Sequence, residues 1–391
     1  MPLNPEASTV RIGILPLTDA VPIVVARDLG FFYRRGIDVE ISVESSWASV
    51  RDKLAAGIID AAQMLAPMPL AATCGLDGIG VAMITAMSLN LNGNAITVSR
   101  SLYERMNVQD PDPLQAGAAL KRVLDADRAV GAPPHVFAHV YPYSPHHYEL
   151  RYWLAGCGID PDEDLELVAI PPAQMVAHMR EGRIDGFCVG APWSTQAERN
   201  DTGRILVSKH QIWNNSPEKV LGVTAHWADT HPDTHLSLIA ALIEAARWLD
   251  LPENRDTAAR LLSASSYLDA EADILRHSLT PGLSRPDSDP GLVFHAGAAN
   301  FPWRSHAQWY LQQMQRWHHL DPDADRKAIA ASVYRTDIYR AAARIVGEPA
   351  PTVDVKPEGL HATLWQVPTE EGPLTMGSDR FFDGQRFEPE E

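Results

Sequence analysis

The sequence has few cysteines, no long apolar run and fewer basic than acidic residues. Its three cysteines, Cys74, Cys157 and Cys188, are widely spaced. An odd number at this spacing fits neither a disulfide framework nor a zinc site, so we interpret them as buried structural thiols. No stretch approaches the roughly 20 apolar residues that a membrane span needs. The opening residues MPLNPEASTV lack the features of a signal peptide, which predicts a cytoplasmic protein.

The balance of charge is strongly acidic. Asp and Glu number 50 against 33 Lys and Arg, for a formal net charge of −17. Such a surface repels nucleic-acid backbones and anionic lipid heads, so we expect no direct nucleic-acid or membrane partner. It does not attract a small anion either. An anion site in this protein must therefore create its positive potential locally.

Common catalytic and metal-binding motifs are also missing. The sequence contains no GxSxG elbow, no P-loop, no HExxH and no CxxC pair. Two pairs of histidines are adjacent, His146 with His147 and His318 with His319. Adjacent side chains on a helix point roughly 100° apart, which is poor geometry for chelation. We therefore expect neither an enzyme, nor a metal site, nor a cofactor.

The N-terminal region alternates between strand and helix patterns. Ser46 is a suitable N-cap for the second helix, and Gly36 and Gly57 are suitable helix ends. The predicted elements are a strand at Val10–Leu15, a helix at Ile23–Arg35, a strand at Ile37–Val43, a helix at Trp47–Ala56 and a strand at Ile58–Leu65. This alternation predicts a mostly parallel, doubly wound α/β sheet, in which ligands bind beyond the carboxyl ends of the strands.

A weak internal repeat suggests two such lobes. KLAAGIIDAAQM begins at Lys53, and HMREGRIDGFCV begins at His178, about 125 residues later. Each segment predicts the end of a helix, followed by a glycine and then by an Ile-Asp pair at the start of a strand. A chain of 391 residues also favours two domains. We predict lobe one at 10–97 and 224–391, and lobe two at 98–223.

The C-terminal part differs in character. Helical periodicity is found at Ser237–Leu249, Thr257–Leu262, Gln308–Trp317 and Arg326–Ser332. These helices form a predicted extension that packs on lobe one. The last stretch, Pro368–Glu391, is rich in Gly, Pro and acidic residues, so we expect a wrapping or partly mobile segment.

Four residues are candidates for ligand contact, each with a plainer alternative. Trp47 lies in the first turn of a helix, where free N–H groups favour anions, but it could equally pack in the core. Asn94 lies in LNLNGNAITV, at a predicted crossing between lobes or in an ordinary turn. His146 is near a helix start, where it could also be a surface or capping residue. Lys219 precedes a predicted chain reversal, although most lysines are solvated surface charges.

Several of these segments occur together in one known family. In order along the chain they are PLTDAVPIVVARDLGFF, SWASVRDKL, APMP, LNLNGNAITV, HHYELRYWLAGCGIDP, PPAQMVAHMREGRIDGFCVGAPW, PEKVLGVT and FFDGQRF. With these segments the sequence resembles the nitrate-binding family of ABC-transporter solute receptors, the group of NrtA and the bicarbonate-binding CmpA. The resemblance implies a two-lobed, type II periplasmic-binding-protein-like α/β fold with a helical C-terminal extension.

The resemblance also implies a ligand set, since nitrate receptors of this family hold the anion with a tryptophan, a glutamine, a histidine, a lysine and backbone N–H groups. The matching positions are Trp47, His146 and Lys219, with Val189 and Gly190 in the GFCVG loop, while the glutamine position falls on Asn94. The shorter asparagine leaves the choice between nitrate and nitrite open.

The chemistry of these residues agrees with a diffuse monoanion, which suits one cation and several neutral donors. Lys219 can only donate, which argues against bicarbonate and its O–H group. We expect the anion to bridge Trp47 and Asn94 on lobe one with His146 and Lys219 on lobe two.

Three functions remain open. The missing leader favours a cytoplasmic nitrate/nitrite sensor of the NasS type, which by resemblance releases a NasT-like RNA-binding antiterminator when the anion arrives. The alternative is the nitrate-binding receptor subunit of an ABC transporter. A third, of another class, is an enzyme of the related thiamine-pyrimidine-synthesis fold, which catalytic turnover would reveal.

Overall fold

The computed structural model of the protein describes residues 3–108, 112–264, 266–268, 270–280 and 289–391. Its ten longer strands form two five-stranded sheets. Sheet one, in spatial order β2-β1-β3-β10-β4, consists of β1 Thr9–Ile14, β2 Asp38–Val43, β3 Ala61–Leu65, β4 Met83–Leu91 and β10 Pro217–Thr224. Sheet two, in order β7-β6-β8-β5-β9, consists of β5 Asn94–Ser99, β6 Val136–His139, β7 Glu166–Ala169, β8 Gly186–Gly190 and β9 Gly203–Ser208.

The two sheets share one topology. The first three strands of each run parallel, and the fourth, β10 or β5, is antiparallel to its neighbours. Each of these antiparallel strands follows a strand of the other sheet along the chain. The chain therefore crosses between the lobes twice, once before β5 and once before β10.

Helices surround the sheets and form the C-terminal extension. The helices of the first two-thirds are α1 Val21–Asp28, α2 Trp47–Ala55, α3 Met68–Thr73, α4 Arg100–Met106, α5 Pro113–Ala129, α6 Pro145–Gly156, α7 Met175–Arg180, α8 Trp193–Arg199, α9 Lys209–Ile212, α10 Ala225–Thr230 and α11 Pro232–Leu249. Those of the last third are α12 Arg255–Leu262, α13 Ala272–Leu279, α14 Arg304–Arg316, α15 Arg326–Val333 and α16 Thr336–Val346, followed by the hairpin β11 Trp365–Val367 and β12 Leu374–Met376. This arrangement confirms the predicted α/β class and its C-terminal helices. Within the described part of the chain, no helix combines the length and apolar composition needed to cross a bilayer.

The repeated sequence motif corresponds to a repeated junction. Ser46 caps α2 by accepting the backbone N–H of Ser49 at 3.1 Å. After α2, Gly57 has a φ of +68°, and after α7, Gly182 has a φ of +69°. Left-handed glycines of this kind end helices at little conformational cost. The two junctions lead into β3 and β8, the central strands of the two sheets.

The helix predicted at Ile23–Arg35 is wrong in length. The helix α1 ends at Asp28, and Gly30 then has a φ of +74°. A short 3-10 turn at Tyr33–Arg35 follows, with Gly36 as its left-handed end. The left-handed Gly30 stops the helical hydrogen-bond series, because the chain turns there to bury Phe32.

The lobe boundaries differ from the prediction in one important respect. The first crossing lies at Asn92 and Gly93, whose φ values are +61° and +97°. Asn94 therefore begins β5 in lobe two, and Lys219 lies on β10 in lobe one, which reverses the lobes expected for these two residues. The sequence concealed this exchange, because the β-rich run from Met83 to Ser99 contains strands of both sheets.

The C-terminal extension contacts both lobes. The helix α14 packs against α6 of lobe two, whereas α15 packs against α3 and β4 of lobe one. The final segment wraps over this region: Phe381 and Phe387 are buried, and Tyr152 on α6 donates a hydrogen bond to Asp383 at 2.9 Å. The sequence predicted that the extension packs on lobe one, but it contacts both lobes.

Candidate functional site

The predicted site residues meet where the two lobes face each other. Trp47 is the first residue of α2, and the Lys219 ammonium lies 5.4 Å from the centre of its ring. His146 is in the first turn of α6, and Asn94 pairs with Gly190 between β5 and β8. Trp47, Asn94, His146 and Lys219 are all buried.

The two loop residues contribute differently. A Cβ atom on Gly190 would lie 3.8 Å from His146 Nε2, so this position faces the site. The side chain of the neighbouring Val189 is completely buried and belongs to an apolar core cluster. Successive side chains of a strand point to opposite faces, so only the backbone of Val189 is near the site.

Lys219 is not the unopposed charge that the sequence suggested. Its side chain is completely buried, and its Nζ atom lies 2.9 Å from Asp19 Oδ2 and 2.5 Å from Glu218 Oε1. Both carboxylates were missed by the sequence analysis. Their presence also removes the argument against bicarbonate, because the site contains strong hydrogen-bond acceptors beside the lysine.

Glu218 gathers donors from both lobes. It accepts hydrogen bonds from Asn94 Nδ2 at 2.7 Å and Lys209 Nζ at 2.7 Å, in addition to Lys219. His146 Nε2 lies 3.2 Å from Glu218 Oε1, without hydrogen-bond alignment. Three of the four side chains predicted to hold an anion therefore surround this carboxylate, and Asn94 is already engaged by it.

A local irregularity of β10 explains why Glu218 and Lys219 act together. Adjacent residues of a regular strand point to opposite faces. The pairing of β10 with β4 shifts register between Pro217 and Lys219 and again between Lys219 and Val220. Such irregularities re-aim side chains, and here two successive buried charges face one cluster.

Asp19 reaches the cluster from the carboxyl end of β1. It lies on a 3-10 turn at Thr18–Ala20 and accepts a hydrogen bond from Gln63 Nε2 at 2.5 Å. Gln63 on β3 in turn accepts the Leu15 backbone N–H at 2.9 Å. This location beyond the sheet is where ligands of doubly wound folds bind. The segment PLTDAVPI belongs to the recognised pattern, but nothing in it singled out Asp19.

The buried charges extend beyond the predicted residues into a continuous network. Lys209 Nζ contacts Glu149 Oε1 at 2.5 Å, and Tyr310 on α14 donates to the same carboxylate at 3.2 Å. Burial raises the pKa of Glu149 to about 7, although Lys209 opposes the shift. Burial also favours neutral Glu218, but the cations around it lower its pKa below the usual range.

Three buried polar groups near Lys219 have no hydrogen-bond partner among the residues that the structure describes: the Trp47 indole N–H, the Thr18 hydroxyl and the ring nitrogens of His146. Burial lowers the pKa of His146 to about 3, so its imidazole is neutral near pH 7 and can donate from one nitrogen. Buried polar groups are normally satisfied, and several unpaired ones facing one space indicate a polar ligand site.

A cavity of about 120 Å³ opens beside Asn94, between lobe two and residues of the C-terminal extension that include His277 and Leu292. Its polar lining includes Ser194, Thr195 and Ser208, whereas Trp47, His146 and Lys219 do not line it. We therefore place the candidate site at the buried donors and not in this cavity. In the described part of the chain, no group of His, Cys, Asp and Glu has an arrangement that could hold a metal ion.

Comparison with known proteins identifies the family. Residues 3–263 match the NMT1-like family. The nitrate/nitrite binding protein NrtA of Synechocystis is 32% identical over 402 aligned residues, which cover 99% of this chain and 83% of that protein. This chain belongs to the NMT1-like family, in the group of NrtA and CmpA. The nitrate import ATP-binding protein NrtC of the same organism is 35% identical over 88% of the chain, which spans about half (51%) of that longer protein.

The solved structures support the same assignment. The crystal structure of periplasmic NrtA from Synechocystis superposes with a TM-score of 0.86 at 30% identity, covering 98% of this chain and 96% of that one. This similarity confirms the two-lobed, periplasmic-binding-protein-like fold. The family and the fold are those of solute-binding proteins and not of enzymes.

Proposed function

We propose that this member of the NMT1-like family is a receptor that encloses a small inorganic anion between its lobes, with nitrate as the first candidate, and that it serves an ABC transporter. One observation carries the proposal: the unpaired donors of Trp47 and His146 converge with Lys219 at the interface of the lobes. The likeness to NrtA along nearly the whole chain supports nitrate and a transport role.

The charges favour a ligand with a single, diffuse negative charge. Lys219 is already paired with Asp19 and Glu218, so the site offers little net positive charge. A dianion such as sulfate would meet strong repulsion from the same carboxylates. Nitrate needs mainly neutral donors, which the indole and the imidazole can provide.

Calorimetric titration with nitrate, nitrite, hydrogen carbonate and sulfate tests the proposal. We expect nitrate to bind and sulfate not to bind. His146→Gln should weaken nitrate binding, while His147→Gln is the matched control. His147 is also buried but faces His139, and the two ring centres lie 4.3 Å apart. Absence of binding by all four anions, or equal losses in the two variants, would contradict the proposed site.

A second candidate uses the same site for regulation. In this proposal the protein is cytoplasmic and binds a NasT-like RNA-binding antiterminator, which dissociates when nitrate or nitrite closes the lobes. Ligand and partner affinities would then be reciprocally coupled. The relatives NrtA and NrtC favour transport over this role. A pull-down with the antiterminator, with and without nitrate, distinguishes them: capture that nitrate abolishes supports the sensor, and no capture supports the receptor.

A further inference from the structure

Asp19 occupies a central position in the candidate site without an assigned role. Its side chain is 1% exposed, and Oδ2 lies between Lys219 of lobe one and Gly190 of lobe two. A Cβ atom on Gly190 would approach Oδ2 to 3.3 Å. An anion that contacts Lys219, His146 and the Gly190 backbone must therefore lie next to this carboxyl group.

The local balance of charge makes an ionised Asp19 unfavourable beside a second anion that cannot donate a hydrogen bond to it. The network contains two ammonium groups, Lys209 and Lys219, which are shared among the carboxylates of Asp19, Glu149 and Glu218. Every cation of this network is paired before a ligand enters. When all three carboxylates are ionised they already outnumber the two ammonium groups, and an anion added beside Lys219 increases this excess of negative charge.

Asp19, and not Glu218, is the carboxyl group beside Lys219 that can become neutral, whereas Glu149, whose pKa burial raises to about 7, pairs with Lys209. Glu218 accepts three hydrogen bonds from two lysines and Asn94. Asp19 has one ammonium neighbour and one amide, Gln63. Burial raises the pKa of Asp19, with Lys219 opposing and Glu218 reinforcing the shift.

Among the described residues, the other groups around Asp19 do not supply a compensating charge. His146 on α6 is neutral near pH 7 because burial lowers its pKa to about 3. The helix α13 packs against the turn of Asp19, but its Asp273 and Arg276 pair with each other at the surface. Burial lowers the pKa of His277 on the same helix, and the charged neighbours of this histidine are Arg199, Glu198 and Arg276.

We propose that Asp19 couples anion binding to a proton and thereby selects the ligand. Nitrate carries no proton, so it binds together with one proton from solvent, which forms an O–H bond on the Asp19 carboxylate. An oxyanion with its own hydroxyl group, for which hydrogen carbonate is the probe, donates that O–H to ionised Asp19 and takes up no proton. This inference rests on the proposed anion-binding function and adds the basis of its selectivity.

Titration calorimetry at pH 6 and pH 8, in two buffers of different ionisation enthalpy, counts the protons. Once free Asp19 is ionised, we expect the wild-type protein to take up about one proton per nitrate, with a Kd that rises toward tenfold per pH unit. Uptake should be smaller at the lower pH, where more of the free Asp19 is already protonated because burial raises its pKa. Hydrogen carbonate at pH 8 should bind without uptake. In Asp19→Asn, nitrate binding should no longer take up a proton, and the Kd for nitrate should become independent of pH. Hydrogen carbonate should bind this variant at least tenfold more weakly than it binds the wild-type protein.

Glu358→Gln is the matched control, since Glu358 is buried and paired with Lys356 in the C-terminal extension. It should retain the proton uptake. Thermal unfolding shows whether each variant folds. If Asp19→Asn does not fold, the proton count of the wild-type protein still tests the inference. Nitrate binding without uptake, or uptake that disappears only in Glu149→Gln, overturns this inference and leaves the proposed function intact. Loss of all anion binding in the wild-type protein overturns the proposed function itself.

Discussion

Replacing Lys219 with methionine separates the two tasks that the structure gives this lysine, holding carboxylates and attracting an anion. Methionine retains most of the side-chain volume and removes the charge. Asp19 and Glu218 then face each other without the ammonium that lies 2.9 and 2.5 Å from them. Removing one partner of a buried ion pair typically costs about 3–5 kcal/mol of unfolding free energy. We therefore expect a folded but clearly less stable protein.

The effect on binding follows from the same charge. At about 4 Å and an effective dielectric constant of about 20, the attraction between an ammonium group and an anion is about 4 kcal/mol. That is roughly a thousandfold in Kd. The variant should therefore show no nitrate binding in a titration that easily measures micromolar affinity.

Lys209→Met provides the control within the same network. Lys209 is as completely buried as Lys219 and also contacts two carboxylates, at 2.5 and 2.7 Å. It should lose a similar amount of stability in urea unfolding but retain nitrate affinity within about tenfold. If both variants lose affinity equally, or if Lys219→Met binds nitrate normally, the assignment of the anion to Lys219 is refuted.

Three other predictions follow from the described contacts. Trp47→Phe removes an unpaired buried indole N–H and should weaken nitrate binding tenfold or more, since a hydrogen bond to a charged group contributes about 1.5–3 kcal/mol. Trp153→Phe is the control: the Trp153 N–H already donates to a lobe-two backbone carbonyl, so this variant should lose only thermal stability. Burial lowers the pKa of His235 from 6.5 to about 4, so the stability that its neutral form provides above pH 6.5 should be lost as pH falls toward 4. In urea unfolding, the free energy of unfolding of His235→Gln should depend on pH less steeply than that of the wild-type protein over this range, by up to about 1.4 kcal/mol per pH unit. Gly222→Ala should cost about 1–3 kcal/mol in urea unfolding, because its methyl group would collide with Met64, and Met64→Ala should restore part of the loss.

Local elements of the fold could be predicted because their causes lie within a few residues. The serine before α2 accepts an N–H three residues later, and glycine after each repeated helix adopts the left-handed conformation. The same reasoning overextended the helix at Ile23–Arg35. A glycine inside an apolar periodic pattern does not reveal whether the chain continues or turns, because burial of Phe32 against the rest of the protein decides it.

Membership of the lobes was only partly predictable. The repeat correctly indicated two similar sheets, but Asn94 and Lys219 were assigned to the wrong ones. Each lies on a strand that the chain inserts antiparallel into the opposite sheet, next to partners far away in sequence. Strand periodicity identifies a strand but not its neighbour, since pairing depends on contacts between distant segments.

By itself, the sequence determined the α/β class, the family and a small set of polar residues suited to an anion. These follow from short-range patterns and from segments that keep their order. The tertiary structure alone decided the electrostatic character of the site. Asp19 and Glu149 are distant from Lys219 in sequence, and Lys209 lies on the helix α9 that precedes its strand. The irregular pairing of β10 is needed to turn Glu218 and Lys219 toward one cluster. Charge interactions act through space over a few ångströms, so their balance exists only once both lobes are assembled.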